Sequence, residues 1–538
     1  MQFPSLRSLL TRRALFQAGA AASAIPSFRS TASAAPSGAL EIGPKLYESI
    51  GVTPVINCRG TLTIIGGSQS LPEVKKAMEE ASRHYVQLDE LMEAVSARLA
   101  ALTGAEWGLI TSGCAAALAH ITAACMAGAD PEKMQRLPNT TGMRNEVIAP
   151  KYSRNVYDHA VRMTGAKMVD VARKEDFAAA FNDRTAMVMV LAGPEDRGEF
   201  GLPFITAIAK QKGIPVVVDA AAEDLTIPNI HLQRGADIVC YSGGKVLRGP
   251  QCAGVALGRK DILSAAWINS APHHAFGRPM KVGREEIMGM LAAVEAWKKR
   301  DIPAEYREKE SYLRTISNRV SKIPGVTAEI LQTEDLSNHA PRLRVRWDNT
   351  KIPLTGGDVA RLLYTGSPRI DIGPSNRNTD FPKDSIGIGA HMMMPGDDRV
   401  VADRLHELLS NPPTIDKISQ GTTSAANLSG RWDVEIRYVS GKANHVFLIE
   451  DRGANLVGTH FGELLEGNLL GTRNGTDITI KSAHRTEGTA IGYRFNGLLK
   501  DDRIEGELNV GEYGTAKFVA TRHKYQEPNA QHRPVKPA

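Results

Sequence analysis

The candidate reactive residues of the sequence lie around Lys245, in the stretch DIVCYSGGKVLRGPQ (237–251). An apolar strand runs into a Ser-Gly-Gly turn, and the lysine follows that turn directly. A Walker phosphate loop is excluded, because Val246 follows the lysine and Val239 stands where the first glycine should be. A lone lysine in such a loop could simply be solvated, so its meaning depends on the residues that it meets.

Two further features fall where they could meet Lys245. Asp219 ends the apolar stretch IPVVVDA, and a carboxylate at the tip of a buried parallel strand points into the crevice where α/β folds bind ligands. The stretch TSGCAAAL (111–118) follows the predicted strand WGLIT and opens a helix. Its backbone N–H groups and helix dipole could hold a phosphate, with the Ser112 hydroxyl added. Each feature is weak alone, since Asp219 could be a helix cap and such turns begin many ordinary helices.

A phosphate cradle, a carboxylate and a lysine at one edge of a sheet are the three parts that pyridoxal phosphate needs. Its phosphate sits on a helix N-terminus and its aldehyde reacts with a lysine. A carboxylate keeps its ring nitrogen protonated, so that the ring can accept electrons from a substrate carbanion. Nicotinamide binding would instead need a GxGxxG turn, which is absent here. The residues therefore favour pyridoxal-phosphate chemistry.

The elements that must position these residues predict an α/β fold. Short runs rich in Val and Ile alternate with helical segments that often end in glycine, which is typical of a doubly wound, mostly parallel sheet. Seven strands are predicted at 107–111, 146–149, 167–171, 186–192, 214–220, 237–242 and 253–258. Helices are predicted at 89–104, 115–128 and 203–213.

The pattern changes twice after residue 284. Helices at 285–301, 303–322 and 396–410 with strands at 339–348 and 368–373 predict a smaller α+β domain. After a polar linker, about eight short alternating strands predict a barrel or sandwich. The predicted domains are a large pyridoxal-phosphate-binding domain at 44–284, a small domain at 285–410, a linker at 411–427 and a β-rich domain at 428–525.

The sequence of residues 1–34 has the pattern of an export signal, so we do not expect this segment to be part of the fold. Arg12 and Arg13 precede a short apolar stretch and a small-residue site that ends at Ala34, as in a twin-arginine signal peptide. We expect cleavage there and a periplasmic or otherwise exported protein. Taking the four arginines of this segment from the net charge of +6 leaves +2, which is poor support for nucleic-acid binding. No apolar run is long enough to predict a membrane span.

Five stretches between about 46 and 300 match a known family: VINCRGTLTIIGGSQ (55–69), LTGAEWGLITSGCAAAL (102–118), RNVYDHAVRMTGAKMVDV (154–171), VVVDAAAEDL (216–225) and SGGKVLRGPQCAGVALGRKDI (242–262). They resemble the selenocysteine-synthase-like branch of fold-type I pyridoxal-phosphate enzymes. That branch includes L-seryl-tRNA(Sec) selenium transferase and D-glucosaminate-6-phosphate ammonia-lyase. The resemblance implies Lys245 as the Schiff-base lysine and Asp219 as the partner of the ring nitrogen. It also implies Ser112, Gly113 and Cys114 at the phosphate.

Four further residues are candidates by position. His159, in YDHAVR, could stack on the cofactor ring or move protons, and Ser242 could touch the phosphate. Arg278 lies in a Gly/Pro turn from which it could reach a phosphate or a substrate carboxylate across a dimer interface. Arg369 falls where family members often hold a substrate carboxylate. Each could instead be structural. The histidine pair at 273–274 has no further ligand spacing, so no metal site is predicted.

These features predict an exported pyridoxal-phosphate-dependent lyase that acts on a small amino acid or amino sugar acid by β-elimination or ammonia release. Transamination is the alternative reaction, because both reactions share the same first carbanion. A catalytically inactive scaffold that binds a ligand is the alternative of another class, although Lys245 and Asp219 are both present. We expect a homodimer or larger homo-oligomer. We expect no tRNA partner, because the tRNA-binding region that precedes the core of selenium transferases is missing before LYESIGV.

Overall fold

The alternating part of the chain builds a central seven-stranded sheet. The structure is a computed structural model that describes residues 39–372, 384–415 and 427–524. In chain order a short strand β1 (Ile56–Asn57) is followed by the sheet strands β2 (Trp107–Thr111), β3 (Glu146–Pro150), β4 (Lys167–Val171), β5 (Thr185–Leu191), β6 (Val216–Asp219), β7 (Ile238–Ser242) and β8 (Gly254–Gly258). All seven predicted strands are therefore present, with ends within two residues of those expected.

The order of the sheet is β2-β8-β7-β6-β5-β3-β4. β8 is antiparallel to both of its neighbours, β2 and β7, whereas the other neighbouring pairs are parallel. Because β6 and β7 are parallel neighbours, their carboxyl ends meet at one edge of the sheet. Asp219 ends β6 and lies in register with Cys240, so the turn that follows β7 opens beside it.

Helices pack against this sheet around one continuous apolar core. They are α1 (Pro72–Ser82), α2 (Leu88–Thr103), α3 (Cys114–Ala127), α4 (Pro131–Arg136), α5 (Asp158–Arg162), α6 (Leu202–Gln211), α7 (Ile230–Gln233) and α8 (Lys260–Ile268). α3 is buried along nearly its whole length, which its run of alanines and other small apolar residues permits. A buried, close-packed helix holds its first turn in a fixed position, and that turn faces the same edge as Asp219.

A second core belongs to the small domain. Its elements are α9 (Arg284–Trp297), α10 (Ile302–Val320), β9 (Val326–Leu331), β10 (Arg342–Trp347), α11 (Gly356–Thr365), β11 (Ile370–Asp371), β12 (Ser385–Gly389) and α12 (Asp397–Ser410). β9, β10 and β12 form an antiparallel sheet in the order β12-β10-β9. The sequence prediction missed β9 and β12. The strand predicted at 368–373 is present as β11, which pairs in parallel with β1 and packs in the second core.

The C-terminal domain is a closed barrel of eight antiparallel strands. They are β13 (Gly430–Arg437), β14 (Lys442–Arg452), β15 (Asn455–Phe461), β16 (Glu466–Asn474), β17 (Asp477–Thr486), β18 (Thr489–Lys500), β19 (Arg503–Asn509) and β20 (Thr515–Arg522). Each strand pairs with the next, and β13 pairs with β20 to close the ring. Closure removes the exposed edges that a sandwich would leave. Of the two architectures predicted for this region, the chain adopts the barrel.

Two sequence predictions concern segments beyond these elements. The signal peptide predicted at 1–34 lies outside the described residues, as does most of the linker predicted at 411–427. Among the helices that the structure describes, none combines the length and apolarity needed to cross a bilayer.

Candidate active site

The Asp219 carboxyl is the buried acidic group of the site, with 3% of its surface exposed. Its Oδ1 accepts hydrogen bonds from the Ala221 backbone N–H at 3.1 Å and from the Cys114 thiol at 3.5 Å. Burial raises the pKa of Asp219, while the Ala221 N–H and the Lys245 charge act in the opposite direction. The carboxyl and the lysine are thus electrostatic neighbours, as their places after adjacent parallel strands predict.

Lys245 lies in a tightly packed turn after β7 and is itself half-buried. The turn leaves no room for a side chain before the lysine, because a Cβ on Gly244 would lie 2.6 Å from the Cα of Gln251. On the far side, the Arg300 guanidinium donates a hydrogen bond to the backbone oxygen of Val246 at 2.8 Å. Close packing and this hydrogen bond fix the backbone from which the lysine side chain extends.

The first turn of α3 presents backbone N–H groups at the same edge. Gly113 precedes the helix with a φ of 95°, and no side chain caps the first turn. A Cβ built on Gly113 would meet nothing within 4 Å, so the space over this turn is open. The Ser112 hydroxyl donates to the Met280 carbonyl at 2.8 Å, which leaves the backbone N–H groups as the donors for a phosphate.

Cys114 begins α3 and links the helix to Asp219. The thiol is buried, and all five cysteines of the chain are free. Its hydrogen bond with Cys240, followed by burial and the Asp219 charge, raises the pKa of Cys114 well above its ordinary value. A thiol kept protonated in this way can donate to a carboxylate but is a poor nucleophile.

His159, the histidine predicted to stack on the cofactor, lies exposed in the first turn of α5. Tyr157, two residues earlier, interacts electrostatically with Asp219 of the site. Burial raises the pKa of Tyr157, and the charge of Asp219 adds to the rise. The sequence prediction missed Tyr157 although it belongs to the same YDHAVR stretch, because histidine is the more usual proton carrier.

Ser242 and Arg278 lie at the border of the site. Ser242 is the last residue of β7, half-buried and in register with Gly254 of β8. Arg278 is exposed and donates to the Pro272 carbonyl at 3.4 Å. The loop that contains Arg278 reaches the start of α3, because its Met280 carbonyl accepts the Ser112 hydrogen bond. Contact of either side chain with a phosphate stays a prediction.

Arg369 immediately precedes β11, and its guanidinium lies 5.2 Å from the centre of the Tyr364 ring. Across residues 39–372, 384–415 and 427–524, neither Arg369 nor Arg278 forms a hydrogen bond or ion pair with Lys245 or Asp219. Their role in holding a substrate carboxylate stays a prediction.

A cationic cleft of about 290 Å³ lies between the Lys245 turn and the small domain. Arg248, Arg300 and Lys309 contribute positive charge to its lining, and Glu305 forms a bidentate pair with Arg300 at 2.7 and 2.6 Å. Burial lowers the pKa of Lys309. Burial and the charges of Lys309 and Arg300 lower the pKa of His391, which also lines the cleft, to about 3. Glu308 also lines the cleft, so three cations face two carboxylates and the formal charge of the lining is slightly positive.

The fold and the site define the class of protein. At one edge of the mixed α/β sheet lie the turn that carries Lys245, the buried carboxylate of Asp219 and the uncapped N-terminus of α3. This is the arrangement of a fold-type I pyridoxal-phosphate-dependent enzyme. Comparison with known proteins agrees. The family model described as Cys/Met metabolism PLP-dependent enzyme matches residues 68–262.

Individual relatives extend this match. A 5'-C-glycyluridine monooxygenase-decarboxylase from Streptomyces sp is 31% identical over 382 residues, covering 68% of this chain and 92% of that protein. A D-glucosaminate-6-phosphate ammonia lyase from Salmonella typhimurium is 28% identical, covering 68% of this chain and 98% of that protein. A solved structure of D-glucosaminate-6-phosphate ammonia-lyase superposes with a TM-score of 0.61 at 27% identity, covering 68% of this chain and all of that one. The chain therefore belongs to the Cys/Met metabolism family of pyridoxal-phosphate-dependent enzymes.

Pyridoxal 5'-phosphate is the cofactor of this family, and the site fits it. Asp219 is a buried carboxyl whose pKa is raised by burial, and a protonated ring nitrogen would offset that cost. The open space over Gly113 leaves room for a phosphate on the first turn of α3. Lys245 is within electrostatic range of Asp219 and is the residue that would supply the amine. About a third of the chain lies outside the match to the ammonia lyase, and the C-terminal barrel is extra to the shared fold.

Proposed function

We propose that this enzyme releases ammonia or a β-substituent from a small amino acid or amino sugar acid. The observation on which the proposal rests is the placement of Lys245 beside the buried Asp219 at one sheet edge. The names of its relatives support a lyase-type reaction, since one is an ammonia lyase and another a decarboxylase.

Each side chain of the site has a separate role in such a reaction. The cofactor supplies an electron acceptor for the carbanion that forms at the substrate α-carbon. The Lys245 amine takes the α-proton, because its turn holds it at the site edge while its flexible stem lets the amine move. Asp219 keeps a positive charge on the ring nitrogen. The neutral Cys114 thiol donates to Asp219 Oδ1 and fixes the orientation of that carboxyl.

The proposed substrate class takes support from the charge around the turn that carries Lys245. The cleft has one more cation than carboxylates, and the slight positive charge is compatible with a substrate that carries a carboxylate or phosphate. Arg278 and Arg369 remain candidates for the same role. Fold-type I sites commonly use residues from two subunits, so we also propose a homodimer or larger assembly. A monomeric mass in light scattering at micromolar concentration would contradict that assembly.

The experiment that tests the reaction is a screen of anionic amino acids and amino sugar acids with the cofactor-loaded enzyme. Ammonia released without any keto-acid acceptor is the expected result. Amino transfer that requires an added keto acid would show the alternative, an aminotransferase. Lys245→Ala should abolish turnover, whereas Lys260→Ala, on an exposed lysine at the start of α8, should not. Ligand binding that survives Lys245→Ala, in a parent without turnover on any compound, would favour the inactive binding scaffold.

A further inference from the structure

The barrel contacts the catalytic domain through the turn between β17 and β18. Arg154, with only 8% of its side chain exposed, sits between three carboxylates. Its Nε and Nη1 pair with Asp158 and Asp170 of its own domain. Its Nη2 lies 2.6 Å from the Glu487 carboxylate of the barrel turn. The barrel therefore completes the set of partners around a buried guanidinium of the catalytic domain.

The next residue of the turn fits only as a glycine. A Cβ built on Gly488 would collide with the carbonyl oxygen of Asn155, and it would lie 2.5 Å from Asp158 Oδ2 and 2.6 Å from Asn155 N. Two of these atoms belong to the backbone, which cannot move aside as a flexible side chain can. The barrel turn is thus pressed against the segment 154–158 at van der Waals distance.

This segment borders the site. Ser153, which directly precedes it, accepts a hydrogen bond at 3.0 Å from the backbone N–H of Leu191, and Leu191 lies in register with Asp219 in the sheet. Asp158, with 1% of its surface exposed, is near enough to Asp219 for its charge to favour a raised pKa of that carboxyl. Tyr157 belongs to the same segment, and burial together with the charge of Asp219 raises its pKa. The turn between β17 and β18 therefore contacts a segment that lies beside the cofactor site.

We propose that the barrel is a positioning element of the active site, in which Glu487 and Gly488 hold the segment Arg154–Asp158 so that Tyr157 and Asp158 keep their places beside Asp219. The inference rests on the assignment of Lys245 and Asp219 as the cofactor site made under the proposed function. Glu487 and Gly488 act through Arg154 and Asn155 and are positioning residues, with no contact to the reacting atoms. Loosening the turn should therefore alter how the cofactor is held while the barrel stays folded.

The test compares three full-length variants with the parent chain. Gly488→Ala introduces the collision with Asn155, and Glu487→Gln removes one charge from Arg154 at nearly constant shape. The matched control is Gly492→Ala in β18, where an added Cβ would meet nothing within 4 Å. Each protein is stripped of cofactor and titrated with pyridoxal phosphate. The dissociation constant, the pH midpoint of the bound cofactor's visible absorption, and hydrogen exchange in peptides covering 154–162 are measured.

Gly488→Ala should raise the dissociation constant for pyridoxal phosphate about threefold to thirtyfold, shift the pH midpoint and speed exchange in 154–162. Glu487→Gln should act in the same direction by about twofold to fivefold, because Glu487 is 40% exposed and its ion pair is partly screened. Gly492→Ala should match the parent. If Gly488→Ala unfolds the barrel, Glu487→Gln decides the outcome.

Two results would overturn the inference. Faster exchange in 154–162 with an unchanged dissociation constant and pH midpoint would show that the contact only attaches the barrel. Unchanged exchange in both variants would show that the turn does not hold the segment. A parent that binds pyridoxal phosphate but turns over no compound tested would refute the proposed reaction alone, since the comparison of cofactor binding does not depend on turnover.

Discussion

The Cys114 thiol donates a hydrogen bond to Asp219 Oδ1 at 3.5 Å, which joins the start of α3 directly to the end of β6. The helix turn that can hold the phosphate and the carboxylate that can hold the ring nitrogen are therefore parts of one contact. Because both residues are buried, the distance between the two ends of the cofactor site is set by the core of the large domain.

Replacing Asp219 should separate cofactor binding from catalysis. Asp219→Asn keeps the shape but cannot hold a positive charge on the ring nitrogen, so kcat should fall about 10²- to 10⁴-fold while pyridoxal phosphate still binds. The control is Asp261→Asn, on an exposed carboxylate paired with Arg259. Steady-state kinetics on the substrate found in the screen measures the effect. An Asp219→Asn enzyme within twofold of the parent would remove Asp219 from the mechanism.

Thiol labelling should report the burial of Cys114 in the native protein. Iodoacetamide reacts with thiolates, so the exposed Cys252 should be labelled first. Cys114, buried and with a raised pKa, should be labelled only after unfolding. Timed labelling followed by peptide mass spectrometry checks the order. Equal labelling rates for Cys114 and Cys252 at neutral pH would contradict the arrangement described for the start of α3.

Three buried histidines inside the barrel should make it sensitive to acid. His445 Nδ1 lies 2.8 Å from His460 Nε2, and His484 Nε2 lies 3.1 Å from the His460 carbonyl oxygen. Burial, followed by the charges of His484 and His445, lowers the pKa of His460 to about 2. Near these rings stand the carboxylates of Glu463 and Glu466 and the phenol of Tyr493.

The direction in which the stability of the barrel changes with pH follows from proton linkage. The unfolded chain binds protons at these histidines near pH 6.5, whereas the folded barrel binds them only at lower pH because their pKa values are lowered, that of His460 to about 2. The stability from this source is therefore complete above pH 6.5 and is lost as the pH falls. From pH 6.5 to pH 5 the loss should be on the order of 2 kcal/mol per excluded proton. Denaturant titrations of the parent and of His460→Leu measure it, and the variant should show a shallower pH dependence. His274→Gln, on an exposed histidine, is the control. A parent equally stable at both pH values would contradict this assignment.

The paired arginines near the N-terminus give a test of export. Arg12→Lys combined with Arg13→Lys should block transport through a twin-arginine pathway, so the unprocessed chain should accumulate in the cytoplasm. Arg29→Lys alters the same segment and should leave export intact. Cell fractionation and the N-terminal sequence of the mature protein provide the readout. Parent protein found uncleaved in the cytoplasm would contradict the proposed export.

Local sequence patterns could predict the large domain because its strands are buried on both faces. Runs such as AMVMVLA and IPVVVDA read as strands without knowledge of their partners, and the places of Lys245 and Asp219 after adjacent strands follow from their order. The strands that were not predicted include β1, whose partner is distant in the chain. β1 pairs with β11 more than 300 residues downstream, and a two-residue strand has no periodicity of its own.

The same limit applies around the site. Nothing in YDHAVR shows whether Tyr157 or His159 interacts electrostatically with Asp219, because that depends on the folded backbone. The contact of Glu487 and Gly488 with the segment 154–158 joins residues more than 300 positions apart. Alternation along β17 and β18 predicts a hairpin but cannot show what its turn touches, since that depends on how two folded domains pack.

The most direct test of the account is the visible absorption spectrum of the purified protein before and after borohydride, with the labelled peptide mapped. The purified protein should be yellow, and reduction should remove the colour and fix the cofactor covalently to Lys245. Attachment to another lysine would contradict the assignment of Lys245. A colourless protein that cannot be reconstituted with pyridoxal phosphate would contradict the account as a whole.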